Sequence, residues 1–307
     1  MNWITRWRRL SALGIMGMNH RNTQCIPEQN PRRLFPVVDA KSKMQEVCER
    51  LGVPTPDLYA IIAAHSALRH LPRILSKRSE FVLKPDRGAG GRGVLVLTGR
   101  EGNRFVRSNG ERLDFAELHQ HVSSIISGLF SLGGRPDAAL VQQRVVPDPV
   151  FAAISFEGTP DVRVILYKNK PVMAMLRLPT KISSGRANLH QGAVGVGVDL
   201  GTGITVHAVL KNAVTDRHPD TGSSVLSVPV PHWTKILDMS CKVSRAVGLG
   251  YVGVDIVLDR VMGPLVLEAN ARPGLSIQIA NCRGLIPALE EIDRLEAAAA
   301  AVNEVIK

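Results

Sequence analysis

Lysine, glycine and carboxylate side chains stand in this chain at spacings that suit phosphate and metal chemistry. Phe81-Val82-Leu83-Lys84 reads as a short strand running into Pro85-Asp86-Arg87-Gly88-Ala89-Gly90-Gly91-Arg92-Gly93. Glycines let backbone N–H groups approach phosphate oxygens with no side chain in the way. Lys84 would project from the strand end as a point charge. The run is not a Walker A loop, since no Gly-Lys-Ser/Thr follows, and not a dinucleotide fingerprint, since no helix follows. A tight hairpin with glycines at positive φ is the plainer alternative, and the lysine at the strand end argues against it.

The second constellation lies in Val252-Gly253-Val254-Asp255-Ile256-Val257-Leu258 and Leu265-Val266-Leu267-Glu268-Ala269-Asn270. Read as a hairpin turning at Gly263-Pro264, it sets Asp255 beside Glu268. Glu268 and Asn270 are two apart, so they share a face. These are hard oxygen donors of the kind magnesium prefers. Their neighbours are apolar, so the carboxylates interrupt core strands, where unpaired burial is costly and a metal would remove the cost. Surface carboxylates on an edge hairpin are the alternative. Arg272 follows directly; it suits either charge neutralisation on a transferring phosphoryl group or a structural salt bridge. His190 and His207 suit proton transfer or a structural role.

Around these residues the pattern predicts the elements. Helical spacing places Met44, Val47, Cys48 and Leu51 on one face over residues 39–51, with Asp39 as N-cap and Gly52 as stop. A helix follows near Ala60–Leu71. Val94–Leu97 pairs with Phe81–Lys84, and Phe115–Leu132 is a helix. Ala138–Val146 is a strand, and Asp161–Tyr167 pairs with Pro171–Leu178 across Lys168-Asn169-Lys170. Lys235–Val247 is a helix closed by Gly248, and Leu289–Ile306 is an alanine-rich final helix. Residues 1–38 read as irregular and basic. Strands paired through short turns argue for an α+β fold with antiparallel sheets.

Bulk properties bound the function. The 307 residues suffice for one large or two ordinary domains; 45% are hydrophobic and 21% charged, as in a soluble globular protein. The formal net charge of +11 and only 4% aromatics give no stacking platform, so no nucleic-acid motif is evident and a polyphosphate ligand explains the cations better. Cys25, Cys48, Cys241 and Cys282 lack metal-binding spacing and read as reduced thiols of a cytoplasmic protein. No run reaches membrane-spanning length and no secretory signal is present. Trp3 and Trp7 beside Arg6, Arg8 and Arg9 leave an interfacial helix over residues 1–18 as a weak option for membrane-surface contact.

Taken jointly, these residues resemble the ATP-grasp superfamily. Asp161-Val162-Arg163, Arg186-Ala187-Asn188-Leu189-His190-Gln191-Gly192 and Leu267–Leu275 resemble its alpha-L-glutamate ligases. Met16–Asn22 and Asn30–Pro36 resemble the alpha-L-glutamate ligase-related, sugar-transfer-associated subgroup. The resemblance implies two α+β subdomains with antiparallel sheets clamping ATP and a reduced N-terminal domain. It implies a basic extension over 1–38 and an ATP-grasp domain over 39–307, with a lid subdomain near 75–146 and a metal-binding subdomain over 147–307. By position, Lys41 and Lys84 match the phosphate-binding lysines, and Gly88, Gly90, Gly91 and Gly93 the lid. Gln142, Gln143 and Val145 match the hinge that reads adenine, with two glutamines where an acidic residue is common. Asp148 is placed for the ribose, Arg163 and Arg177 for the γ-phosphate and acyl phosphate, and Asn188 for substrate and phosphate. Asp255, Glu268 and Asn270 match the ligands of Mg2+, with Mn2+ as a substitute. The implied reaction is ATP-dependent amide formation between a small-molecule or peptide carboxylate and an amino-acid amine, glutamate among the candidates, by a monomer or an oligomer. The alternatives are a non-catalytic ATP-binding regulator of the same fold and a basic RNA- or membrane-associated module.

Overall fold

A computed structural model describes residues 3–88 and 90–305. The side chains of Trp3, Arg6 and Trp7, on which the interfacial-helix expectation rests, lie outside the described residues, as do Ala89 and Ile306.

Two antiparallel sheets carry the chain. The first contains β1 (Leu58–Ile62), β2 (Phe81–Pro85), β3 (Leu95–Glu101), β4 (Arg104–Arg107), β5 (Arg112–Leu113) and β6 (Ala139–Gln142), in the order β1-β6-β2-β3-β4-β5. Phe81, Leu83, Leu97 and Phe105 are fully buried against Leu118, Val122 and Ile125 of the helix Phe115–Ile126. That helix starts on a capping box, in which Asp114 accepts from Glu117 N and Glu117 reaches back to Asp114 N. It stops short of the expected Leu132 because Gly128 turns left-handed at φ 84°. The helix expected near Ala60–Leu71 is instead β1, a 3-10 turn at His65–His70 and a short helix Leu71–Leu75. The apolar run Leu58–Ile62 pairs with β6; short runs of this kind suit either state, and tertiary pairing decides.

The second sheet contains β7 (Asp161–Tyr167), β8 (Lys170–Leu178), β9 (Val194–Val198), β10 (Thr205–Leu210), β11 (Ala213–Thr215), β12 (Tyr251–Asp259) and β13 (Gly263–Asn270), in the order β11-β10-β9-β8-β7-β12-β13. Alternation sorts its side chains onto two faces. Val162, Val164, Leu176, Val252 and Val254 pack with Ile236 and Val243 of the helix Trp233–Val247 and with Met44 and Val47 of the helix Lys41–Arg50. Ile165, Met173, Met175 and Tyr251 pack with Ile277, Leu285 and Leu289, and with Met16 and Ile26. At Gly197 any Cβ would sit 2.6 Å from the Ala280 carbonyl oxygen, so glycine there lets the short helix Ile277–Ala280 lie on β9.

In the segment 1–38, expected as irregular, the described residues form a series of helical turns, among them Trp3–Ala12, Met18–His20, Ile26–Gln29 and Phe35–Asp39. Two buried amides tie them to the second sheet and to the helix Ile277–Ala280 that lies on it. Asn30 donates to the carbonyls of Tyr251 (2.7 Å) and Ala271 (2.9 Å) and accepts from Tyr251 N (2.9 Å). Gln278 accepts from Met16 N (2.8 Å) and donates to Met16 O (3.0 Å). Tertiary anchors therefore hold helices that are individually too short to persist. The next helix begins at Lys41 with Ala40 in the cap position, and Asp39, expected there, makes no cap. The expected strand Ala138–Val146 ends at Gln142, and the turn expected at Gly263-Pro264 falls at residues 260–262, leaving both Gly263 and Pro264 in β13.

Candidate active site

The two sheets meet where β2, the helix Lys41–Arg50 and β13 converge. Lys41 Nζ donates to Gly88 O at 2.8 Å and lies 3.6 Å from Glu268 Oε2. One ammonium therefore joins the glycine loop of the first sheet to a carboxylate of the second. Lys84, only 8% exposed, sits at the end of β2 opposite Leu140. Burial lowers its pKa from the ordinary 10.5 to about 8, Lys41 adds repulsion, and Glu268 and Asp86 oppose the drop. Lys84 thus feels charge from both sheets without a hydrogen-bonded partner of its own among the described residues.

Gly90, Gly91 and Gly93 are all left-handed, at φ 66°, 72° and 71°. The loop leans on the second sheet's Arg186–Gln191 segment. Gln191 Nε2 donates to Gly90 O at 3.0 Å. A Cβ on Gly91 would stand 3.2 Å from Arg186 Cδ, and one on Gly90 3.4 Å from Asn188 Nδ2. Asn188 Oδ1 itself accepts from His190 N. The loop's far end is held by the His121 ring against Gly93 O at 3.0 Å.

On the second sheet, register pairs Asp255 with Arg163 on one side and Glu268 on the other, and Asp161 with Arg177. Two arginines and two aspartates close into a quartet. Asp255, 2% exposed, accepts from Arg163 Nε (2.7 Å) and Nη2 (2.6 Å) and from Arg177 Nη2 (2.8 Å). Arg177 also makes a two-pronged contact with Asp161. Burial alone would raise the Asp255 pKa, but the Arg163 and Arg177 charges and hydrogen bonds outweigh it and hold the carboxyl well below its usual range. Arg177 is likewise held charged by Asp161 and Asp255 against its own burial.

The quartet answers the cost of burying Asp255 with arginines, where the sequence suggested a metal. Asn270 Nδ2 lies 3.3 Å from Asp255 Oδ2 and 3.4 Å from Glu268 Oε1, so the three expected metal ligands do converge. Among the described residues no three His, Cys, Asp or Glu side chains form a ready cage. The donor set still fits a hard cation that takes much of its shell from phosphate and water, with Glu268 and Asn270 half-exposed in front and Asp255 behind them.

The expected hinge residues are more dispersed. Gln142, on β6, is buried and donates to Gln45 Oε1 (3.3 Å) and Pro56 O (3.1 Å). It lines a narrow cleft with Lys41, Met44, Gln45, Thr55, Val266 and Leu267, between the two sheets. Gln143 bonds through its backbone N–H to Asp57 O, and Val145 is half-buried in the connection that follows. Asp148 spends its carboxylate on Val150 N, capping a 3-10 turn. Arg272 is exposed, its guanidinium 5.0 Å over the Phe35 ring. His207 faces Ala280 O at 3.1 Å, away from the cleft residues. Asp161 and Gln191 lie in segments that the resemblance singled out, but sequence reasoning gave neither a role. Asp161 opens β7 as a carboxylate before an apolar run, which was a usable signal.

Among the described residues no helix is long and apolar enough to cross a membrane. The cysteines are free, and burial pushes the Cys25 and Cys48 thiols up to about 12.

No curated protein matches the sequence. Among solved structures, the biotin carboxylase–beta-gamma-ATP complex from Campylobacter jejuni is similar at a TM-score of 0.50 and 15% identity, over 81% of this chain and 44% of that one. The ATP-grasp ligase PsnB with its minimal precursor aligns at 0.48 and 15%, over 88% and 63%. D-alanine–D-alanine ligase from Bacillus anthracis aligns at 0.46 and 12%, over 88% and 70%. This chain thus spans less than two thirds of the PsnB length. The family model described as sugar-transfer associated ATP-grasp matches residues 20–294, and the chain, built on the two antiparallel sheets of that fold, belongs to this family.

Proposed function

We propose that the chain is an ATP-dependent carboxylate–amine ligase that works through an acyl phosphate. The observation that carries this reading is the meeting of Lys41 and Lys84 with Glu268 across the two sheets, with Lys41 3.6 Å from the carboxylate. Two cations beside flexible glycines suit a polyphosphate, and a facing carboxylate and amide suit the cation that accompanies it.

The cleft beside Gln142 and Leu267 encloses only about 10 Å³ as it stands, so the adenine would enter there once the two sheets part, with Gln143, Val145 and Asp148 in the segment that follows Gln142. The phosphates would lie between Lys84, Lys41 and the amides of Gly88, Gly90, Gly91 and Gly93. Glu268 and Asn270 would hold magnesium, with Asp255 backing them; magnesium, when bound, supplies charge neutralisation on the β- and γ-phosphates. The substrate carboxylate then takes the γ-phosphoryl group, ADP leaves, and an amine displaces phosphate to give the amide. Arg163 and Arg177 each keep guanidinium N–H groups beyond those spent on the quartet, and these would serve developing charge from a rigid base. Asn188 and Arg186, which lie beside the glycine loop, would contact the reacting ends. Catalysis is by positioning and electrostatics, since no nucleophilic side chain is required.

An amino-acid or peptide substrate, glutamate included, is proposed from the resemblance of the segments at 161–163, 186–192 and 267–275 to alpha-L-glutamate ligases. The test is ADP release with magnesium and ATP across a panel of amino acids and acidic peptides. A panel containing the cognate pair should give substrate-dependent ADP; nucleotide binding with no turnover on any member would favour the non-catalytic regulator.

A further inference from the structure

Asp86 is not a phosphate ligand, yet it touches both elements that carry the phosphate lysines. It lies two residues beyond Lys84, is 6% exposed, and its backbone N–H donates to Ala138 O at 2.9 Å, so it is fixed to the first sheet. Its side chain leaves that sheet. Oδ1 accepts from Ser42 N at 2.7 Å and Oδ2 from Ser42 Oγ at 2.9 Å. Its carbonyl accepts from Lys41 N at 3.1 Å and Lys41 Nζ at 3.4 Å. The helix Lys41–Arg50 begins at Ala40, which has no side chain able to cap, so its first N–H groups take their acceptors from Asp86. A cap supplied from another element fixes that element's distance as well as the helix end.

We propose that Asp86 is a positioning residue: it caps the helix of Lys41 from the strand of Lys84 and so sets the spacing of the two lysines that receive the nucleotide phosphates. This rests on the nucleotide reading above. Distance is what matters, because a phosphate chain can satisfy both ammonium groups only when they are held at a matching separation. Cap geometry can be kept without the charge. Asparagine at this position retains an oxygen for Ser42 N and an amide that can donate to Ser42 Oγ, whereas alanine loses both contacts.

The experiment is titration calorimetry of a non-hydrolysable ATP analogue with magnesium into wild type, Asp86→Asn, Asp86→Ala and Ser42→Ala, each checked for fold by circular dichroism. Asp86→Ala should bind about tenfold more weakly, the equivalent of one mis-set charge-assisted contact. Asp86→Asn should stay within about threefold of wild type, and Ser42→Ala, which keeps the Ser42 N contact, should fall between. Rescue by asparagine separates spacing from charge, and affinity measured well below the melting temperature separates spacing from stability. Asp86→Ala binding like wild type, or Asp86→Asn binding as weakly as Asp86→Ala, overturns the proposal. Should Asp86→Ala not fold, Ser42→Ala and Asp86→Asn decide it, and equal affinities in that pair overturn it. Wild type that binds no nucleotide removes the nucleotide reading itself, a distinguishable result.

Discussion

Replacing Lys84 by methionine should make the empty protein more stable and weaken its hold on nucleotide. Lys84 is buried, carries no hydrogen bond among the described residues, and has its pKa lowered from 10.5 to about 8. At neutral pH the folded state still keeps the proton, but holds it less tightly than the unfolded chain does. The drop corresponds to about 3 kcal/mol of strain on the empty protein, an upper figure because Glu268 and Asp86 lose a nearby cation in the variant. Methionine fills a similar volume without a charge. A gain of roughly 1–3 kcal/mol is expected, read as a rise of a few degrees in melting temperature. Nucleotide phosphate would lose one charge-assisted contact worth about 1.5–3 kcal/mol, or about 10–100-fold in affinity. Thermal melts of wild type and Lys84→Met, with and without a non-hydrolysable ATP analogue and magnesium, read both effects. Wild type should gain stability with ligand, and the variant should start higher and gain little. A variant that melts lower than wild type and still responds to nucleotide refutes the reasoning, since Lys84 would then be a structural cation.

The same lysine sets a pH dependence. Between about pH 8 and 10.5 the unfolded chain keeps a proton at Lys84 that the empty folded protein has lost, so this group makes the empty protein more stable as pH rises through that window; urea midpoints against pH check it. Over the same rise nucleotide affinity should fall, with proton uptake on binding visible in buffers of different ionisation enthalpy. Glu268→Ala should abolish ADP formation while leaving the fold intact by circular dichroism, because Glu268 is partly exposed and its one ion pair spans 3.6 Å. Asp255→Asn should instead destabilise by about 3–5 kcal/mol in urea, because it leaves Arg163 and Arg177 buried with half their counter-charge. Asn30→Ala should cost roughly 2–4 kcal/mol by stranding the Tyr251 and Ala271 backbone groups, and a change below half a unit would show the N-terminal turns to be loosely attached.

What the chain disclosed by itself was what depends on short-range pattern. Hairpins across Lys168-Asn169 and around Gly263 follow from alternation and turn residues, and the structure forms both. Glu268 and Asn270 on one face followed from the strand period. Pairings between distant strands left no such trace. Arg163 and Arg177 looked like loose cations for phosphate because nothing in their own segments says that β12 docks beside β7 and delivers Asp255 to them. β9, Val194-Gly195-Val196-Gly197-Val198, has too few side chains to show which face it buries, and its glycines make sense only against Leu189 and the helix Ile277–Ala280. The segment 1–38 looked irregular because each turn is short; its described residues are anchored by Asn30 reaching the second sheet and by Gln278 of the helix Ile277–Ala280 gripping Met16. Arg272 matched its motif by position, and its approach to the Phe35 ring, far away in the chain, left no trace in the sequence.

The most direct measurement is a crystal structure with a non-hydrolysable ATP analogue and magnesium. The account predicts phosphates between Lys84, Lys41 and the glycine loop, a cation at Glu268 and Asn270, and Lys41 Nζ shifted from Gly88 O to a phosphate oxygen. Nucleotide bound elsewhere, or a cleft still closed by the Lys41–Gly88 contact at saturating ligand, would contradict it.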